Sequence, residues 1–359
     1  MWYNTNVYKP KFTISPDVLS AVAEIAEIKA VVERSRVLPL NELQLKREAL
    51  IRMVHTSTSI EGNSLAEHQV SRVLSGMTVA ADDRSILEVK NYQNAVKEVE
   101  KLAKEKTELS AALILDLHRI AMKGLLPEEK LGKFRPGEIY VVDDNGDGTE
   151  ELRYQGPNAD SVQKLIKEMV DWYKKATEKE QLHPVLKAGL VHLQFVSIHP
   201  FSDGNGRMAR LLTQFSLYRD NWDFRKIIVL EEFYNKDRQE YYNAENIVQG
   251  DKYHEGQDLT PWLEYFVAGF LIEARKVFRT INSLGFDKNT EGAQTVLEPD
   301  EVRIIDFLVN SNSLKSDDIV KLLNISKRTA QLKLKSLVEK ELIKQQGKGP
   351  ATYYVSADK

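Results

Sequence analysis

The string His199-Pro-Phe-Ser-Asp-Gly-Asn-Gly-Arg-Met-Ala-Arg210 constrains this chain more than any other stretch. Upstream, Leu186, Leu190, Leu193, Val196 and Ile198 recur near helical spacing, and the pattern breaks at His199-Pro200 because the residue before a proline is pushed out of the α region. Downstream, Met208, Leu211, Leu212, Phe215 and Leu217 resume the period, so a second helix is expected to begin near Gly204 or Asn205. The fold must therefore turn sharply between two apolar helices. Backbone N–H groups at the second helix start, left open at Gly204 and Gly206, form an anion-binding nest reinforced by the helix dipole. Arg207 and Arg210 lie three apart on one face and can reach the same polyphosphate. Asp203 would repel a bare phosphate there, and its presence makes sense if Mg²⁺ bridges it to phosphate oxygens. His199 stands at the edge of the nest, where an imidazole can take a proton from an incoming hydroxyl. The pattern points to nucleotidyl or phosphoryl transfer. The plainer alternative, a glycine turn in which Asp203 and Asn205 cap a helix and the arginines are solvated, accounts for each residue singly but not for their density.

The string matches the signature HPFxDGNGRxxR of the Fic family at every position, and Ala188, His192 and Phe195 also fit the family pattern leading into it. The chain thus resembles proteins that transfer AMP from ATP to a Ser, Thr or Tyr hydroxyl of a target protein. The resemblance implies that His199 is the base, Phe201 anchors the loop and Asp203 holds Mg²⁺. It further implies that Gly204, Asn205 and Gly206 bind phosphate, Arg207 orients the polyphosphate and Arg210 meets the γ-phosphate.

Two further stretches join it. Ser57-x-x-x-Glu61-Gly62 fits the family pattern [S/T]xxxE[G/N] of an inhibitory helix, which implies that Ser57, Glu61 and Gly62 form a brake in which the glutamate pairs with the second motif arginine. By residue type alone, Ser57 could equally cap a turn and Glu61 be an exposed helix-end carboxylate. Asp237-Arg-Gln-Glu-Tyr-Tyr-Asn243 resembles the segment whose adjacent tyrosines line the family's base pocket, so Tyr241 and Tyr242 are expected to bind ATP, although two tyrosines on a helix also read as core plus surface.

The rest of the chain supplies the frame. Helical spacing runs from Val18 to Val32, with Pro39 ending the segment, and again from about Glu42, from Ser85 to Ala103, from Ser110 to Leu126, from Asp160 to Lys175 and from Thr260 to Leu284. His118 falls on one of these helices with no second ligand at metal spacing, so a structural role is expected. Between the helices, Ile139–Val142 and Glu151–Tyr154 have strand character, with a turn at Asn145–Gly148. This hairpin resembles the Fic flap, which pins a target segment by strand pairing. Its tip opens like a calcium loop, but the twelfth position is Tyr154 rather than a bidentate glutamate, which excludes that reading.

Gly285 to Thr295 reads as a linker. Beyond it, three helical stretches and a small hairpin resemble a winged helix-turn-helix domain. Residues 326–359 hold eight Lys or Arg against three acids, so DNA is a candidate partner for residues 297–359, as is another protein. The expected architecture is mainly α: an N-terminal helical region with the inhibitory motif (1–105), a Fic-fold catalytic domain with a β-hairpin flap (106–284), a linker (285–296) and the winged helix (297–359).

A net charge of −3 argues against a chain built mainly to coat nucleic acid, and the absence of cysteine excludes disulfides and thiolate metal sites. With no signal-like start and no apolar run approaching twenty residues, a cytoplasmic location with no membrane span is expected. Two rival functions stand beside protein adenylylation: removal of AMP by the same site, and a DNA-binding regulator that uses the pocket as a nucleotide sensor. An intact His199 argues against a pure sensor, which needs no base. The target protein, and the choice between monomer and homodimer, stay open at this level.

Overall fold

The computed structural model describes residues 8–35, 37, 39–144, 150–285, 298–311, 313–340, 342–347, 349 and 352–357. The expected turn at Asn145–Gly148 and all but the first residue of the expected linker lie outside the described residues. The chain is mainly helical, as expected, and divides into two compact units, residues 1–33 with 49–278 and residues 34–48 with 279–359. Residues 49–105 thus share one unit with the motif helices.

In the first unit, α1 (Pro16–Arg34) turns Val18, Ile25, Ile28 and Val32 inward at helical intervals. Pro39 does not end a segment but opens α2 (Pro39–Ile60). A proline is at home in a first helical turn, where its missing N–H would have had no partner, so the same residue that breaks one helix can start the next. α3 (Glu67–Leu74) was not expected; with only Val70 and Val73 buried, its apolar face is too short to register as a period. α4 (Asp83–Lys104) begins where Asp82 accepts the Ser85 N–H, and it buries Val89, Tyr92, Val96, Val99 and Ala103 along one stripe. α5 (Ala111–Ala121) is capped in the same way by Ser110.

After these come β1 (Tyr140–Asp144), β2 (Glu150–Gln155) and α6 (Ala159–Glu178), then the motif helices α7 (Pro184–Ile198) and α8 (Asn205–Arg219). Nearly every residue of α7 and α8 is buried, which makes this pair the middle of the core. α9 (Glu231–Lys236), α10 (Arg238–Gln249) and α11 (Thr260–Gly285) close the unit. Packing against α7 is close: a Cβ on Gly189 would lie 2.9 Å from the Phe266 ring, and the Gly189 carbonyl accepts the Trp262 indole N–H at 2.7 Å.

β1 and β2 form the expected antiparallel hairpin, with Tyr140 opposite Gln155, Asp144 opposite Glu150 and a bulge in β2, where Arg153 is the extra residue opposite the Val141–Val142 step. The outer edge of β2 is paired at its last residue. Gln155 donates to the Asp251 carbonyl and accepts from the Tyr253 N–H, both at 2.8 Å. Among the described residues, the outer edge of β1 pairs with no strand.

The second unit contains α12 (Pro299–Ser311), α13 (Ser316–Leu323), α14 (Lys327–Glu339) and the hairpin β3 (Ile343–Gln346) with β4 (Tyr353–Ser356). Leu314 adds an antiparallel bridge to Tyr354. Ile304, Ile305, Leu308, Ile319, Leu334 and Leu337 form its core, and Leu43, from the part of α2 that belongs to this unit, packs against them. No helix among the described residues is long and apolar enough to cross a membrane.

Candidate functional site

α7 stops because His199 takes the left-handed conformation, φ 49°, and Pro200 follows it. The His199 N–H still closes the last turn on Phe195 O at 3.1 Å. Its ring Nδ1 lies 3.1 Å from Val196 O. A carbonyl only accepts, so Nδ1 carries the proton and Nε2 keeps its lone pair. Burial holds the imidazole pKa below its ordinary value, so the ring is neutral at pH 7 and able to act as a base.

The loop that follows is braced from within. Phe201 is fully buried and stacks on the His118 ring, centroids 3.7 Å apart. The Asn205 side chain clips both backbone groups of Phe201, accepting its N–H at 2.9 Å and donating to its carbonyl at 2.8 Å. Those two bonds hold the amide against the loop, and the Asn205 backbone N–H is the group that faces the helix start. Gly204 caps α8 at φ 84°, where a Cβ would also stand 2.7 Å from the Met122 sulfur. His118 supports the loop from α5. Its Nδ1 accepts the Gly132 N–H at 3.0 Å, which leaves Nε2–H to donate to Asp203 O at 3.1 Å. Burial pushes this imidazole down to about 4, so the neutral tautomer is fixed, and the structural role expected for His118 is what the geometry shows.

At the start of α8, the N–H groups of Asn205, Gly206 and Arg207 find no acceptor among the described residues. Both motif arginines are buried and paired. Arg207 donates through Nη1 to Glu88 Oε1 on α4 and through Nη2 to Asp203 Oδ1 at 3.1 Å, and its Nε has no partner. Glu88 is itself held by the Asn63 amide at 2.7 Å. Arg210 donates Nε to Ser57 Oγ at 2.7 Å, and Nη2 to both Ser57 O at 2.9 Å and Glu61 Oε1 at 2.8 Å. The Glu61 carboxylate lies over the helix start, since a Cβ on Gly206 would fall 2.6 Å from Glu61 Oε1. Burial pushes the Glu61 carboxyl up, but Arg210 and Arg207 together outweigh it and hold it below the ordinary carboxylate range. An internal carboxylate thus occupies Arg210 and stands over the helix start without accepting from its N–H groups. Gly62 ends this segment at φ 94°, open to a residue without a side chain.

Asp203 fits a hard cation. Its side chain is 40% exposed, Oδ1 is engaged by the Gly204 N–H and Arg207, and Oδ2 has no protein partner among the described residues. No group of three or more His, Cys, Asp or Glu able to hold a metal is present among those residues. One carboxylate suits Mg²⁺, which takes its remaining ligands from water and phosphate.

The two tyrosines part company. Tyr241 is 1% exposed, donates to or accepts from His192 Nε2 at 2.8 Å, and stacks on Tyr234. Adjacent positions on a helix point about 100° apart, so only one of the pair can face outward. Tyr242 does so, with the Arg153 guanidinium of β2 over its ring at 4.5 Å. The site also contains residues that sequence reasoning did not assign, Glu88 and Arg135. Each makes most of its contacts to segments distant in sequence, and neither stands in a periodic spacing that would single it out.

Residues 108–217 match the family model described as Fic/DOC family. The chain is 30% identical over 264 residues to a protein adenylyltransferase Fic of Nematostella vectensis, covering 71% of this chain and 56% of that protein. It is 33% identical over 177 residues to a protein adenylyltransferase Fic of Drosophila willistoni, covering 48% and 33%. It spans about half or less of the length of these curated relatives. Among solved structures it resembles that of a Fic family protein from Desulfovibrio desulfuricans G20, with a TM-score of 0.62 and 27% identity over 98% of this chain and 99% of that one.

Proposed function

Because residues 108–217 of this chain match the Fic/DOC family model, we propose that the protein transfers AMP from ATP to a Ser, Thr or Tyr hydroxyl of a target protein, under restraint by Glu61. One observation carries the reading: an anion-binding helix start and a neutral imidazole with a free Nε2 stand side by side, and an internal carboxylate on Arg210 holds the anion's place. In the forward reaction the hydroxyl oxygen bonds to the α-phosphorus of ATP as the bond to the bridging oxygen breaks. Pyrophosphate leaves, and the hydroxyl proton passes to His199 Nε2. The free N–H groups at the start of α8, with Arg207 and Arg210, hold the triphosphate in a fixed orientation and stabilise its charge. Mg²⁺, held through Asp203, would offset charge on the phosphate oxygens. Tyr242 offers an aromatic face to the base, and Tyr241 supports it from inside.

The names of the relatives agree with this chemistry, and so does the hairpin, whose open β1 edge suits an extended target segment. The test is incubation of wild type and Glu61→Gly with a cell lysate and ATP labelled on either the α- or the γ-phosphate. A protein band labelled from the α-position only is the expected result. Loss of label from a pre-modified target, without any forward labelling, would assign the site to AMP removal instead.

For the second unit we propose duplex DNA as the partner. Three helices followed by a hairpin are the element order of a winged helix-turn-helix, and α14 carries Lys327, Arg328, Lys333 and Lys335. Some of this charge is already matched, Lys327 by Asp317 at 2.7 Å and Lys333 by Asp300 at 3.1 Å. Retardation of duplex DNA by the whole chain at low salt, lost as salt rises, is the expected result. No retardation at any salt would make the unit a protein-binding module.

A further inference from the structure

Arg135 is 4% exposed, and among the described residues no carboxylate forms a hydrogen bond or ion pair with it. Glu138 favours the cation only through space, and burying a guanidinium with no carboxylate in contact is expensive, so its retention calls for a reason. All of its hydrogen bonds go to main-chain carbonyls. Nε donates to His199 O at 2.8 Å, Nη1 to Gly137 O at 2.6 Å and Nη2 to Pro157 O. Its own backbone N–H donates to Pro200 O at 2.9 Å. Gly137 precedes β1 and Pro157 follows β2. One rigid guanidinium therefore ties both feet of the hairpin to the residue that carries the imidazole. The approach is close enough that a Cβ on Gly156 would lie 3.1 Å from Arg135 Nη2 and 3.8 Å from His199 Cβ.

We propose that Arg135 is a positioning residue that sets the distance between the His199 imidazole and the β1–β2 hairpin, and with it the reach from the base to a hydroxyl presented along that hairpin. The planar fork suits this task because its donors have fixed directions, whereas a lysine ammonium is a point donor on a flexible stem. Arg135 also holds His199 in its left-handed conformation, which a non-glycine residue adopts only where its surroundings impose it. The role rests on the transferase reading for its catalytic consequence, while the geometric link between His199 and the hairpin does not.

The test uses the full chain carrying Glu61→Gly as parent, with Arg135→Lys and Arg135→Ala added. Self-labelling from α-labelled ATP should fall about 10²-fold in both, the size expected for a reacting group misplaced by about 1 Å. ATP affinity, measured by calorimetry, should stay within about twofold, because Arg135 touches none of the anion-binding groups. Guanidinium chloride well below denaturing levels should restore part of the rate to Arg135→Ala and none to Arg135→Lys. Independently of activity, the NMR signal of the His199 ring should shift, and the Gly156 N–H, which donates to Ile139 O, should exchange faster with solvent. An unshifted His199 signal with unchanged Gly156 exchange would overturn the proposal. So would ATP affinity falling in step with rate, which would make Arg135 a support of the fold alone. If the parent fails to label, the transferase reading falls, and the NMR and exchange measurements still decide the role of Arg135.

Discussion

Glu61 Oε1 lies 2.8 Å from Arg210 Nη2, although 149 residues separate the two in sequence. A guanidinium offers the same forked donors to a carboxylate and to a terminal phosphate, so the two compete for Arg210. Under the proposed transferase reading, the triphosphate loses a partner and meets a negative charge while Glu61 holds Arg210. Misorientation of this kind costs about 10²-fold or more in rate. Glu61→Gly is therefore expected to raise incorporation of α-labelled nucleotide by at least that order at saturating ATP and Mg²⁺, with a smaller change in ATP affinity. Arg210→Ala should be inactive with or without Glu61. A Glu61→Gly rate equal to wild type would remove the brake from the account.

The same pair sets a pH dependence. Glu61 titrates below its unfolded value in the folded protein, so its contribution to stability is fully present above the ordinary carboxylate range and is lost as pH falls through the lowered value. The melting-temperature difference between wild type and Glu61→Gln should be constant from neutral pH down to about 4.3 and narrow below it. A difference that shrinks between pH 8 and 6 would point to another group.

His199→Ala, made in the Glu61→Gly background, should reduce transfer by about 10²–10⁴-fold, the usual cost of losing a general base. ATP binding should persist, since the imidazole lies outside the anion nest. Loss of ATP affinity in parallel with rate would mean that the ring holds the loop rather than the proton.

Glu88→Ala would leave Arg207 buried without its strongest partner, because Asp203 is the more exposed of its two carboxylates. Removing one member of such a pair costs about 3–5 kcal/mol, less here to the extent that Asp203 remains. Chemical denaturation of Glu88→Ala and Glu88→Gln should show the loss, with Gln milder because it still accepts from Arg207. Asn63→Ala should weaken the same contact from its other end.

Much of this site could be read in one dimension because its groups lie within one turn of chain. Pro200, Gly204 and the apolar periods around them fix where α7 ends and α8 begins, and hence where the free N–H groups point. The pairing of Glu61 with Arg210 was legible only through the family pattern, since nothing in the spacing of Ser57 and Glu61 says which arginine they meet. Arg135 and Glu88 are not legible because each joins segments distant in sequence through contacts that leave no period, whereas the structural role of His118 is read from its place on a helix with no second ligand nearby. Pro39 was misplaced for a different reason: a proline marks both the end of one helix and the first turn of the next, and only the downstream packing decides. Tyr241 and Tyr242 were correctly placed on one helix, but residue type alone did not say which of them faces inward.

The open edge of β1 has a consequence for how the protein must live at high concentration. Among the described residues no strand pairs with that edge, and exposed main-chain donors and acceptors do not discriminate among extended chains, another copy of the protein included. Tyr140 and Val142 are exposed there, so side-chain burial would add to such self-pairing. The bulge works against it from β2, where Arg153 is the extra residue opposite the Val141–Val142 step, because it increases the local twist of the hairpin so that only a short segment can align. Deleting Arg153 to straighten the bulge would flatten that edge and favour pairing between copies of the protein.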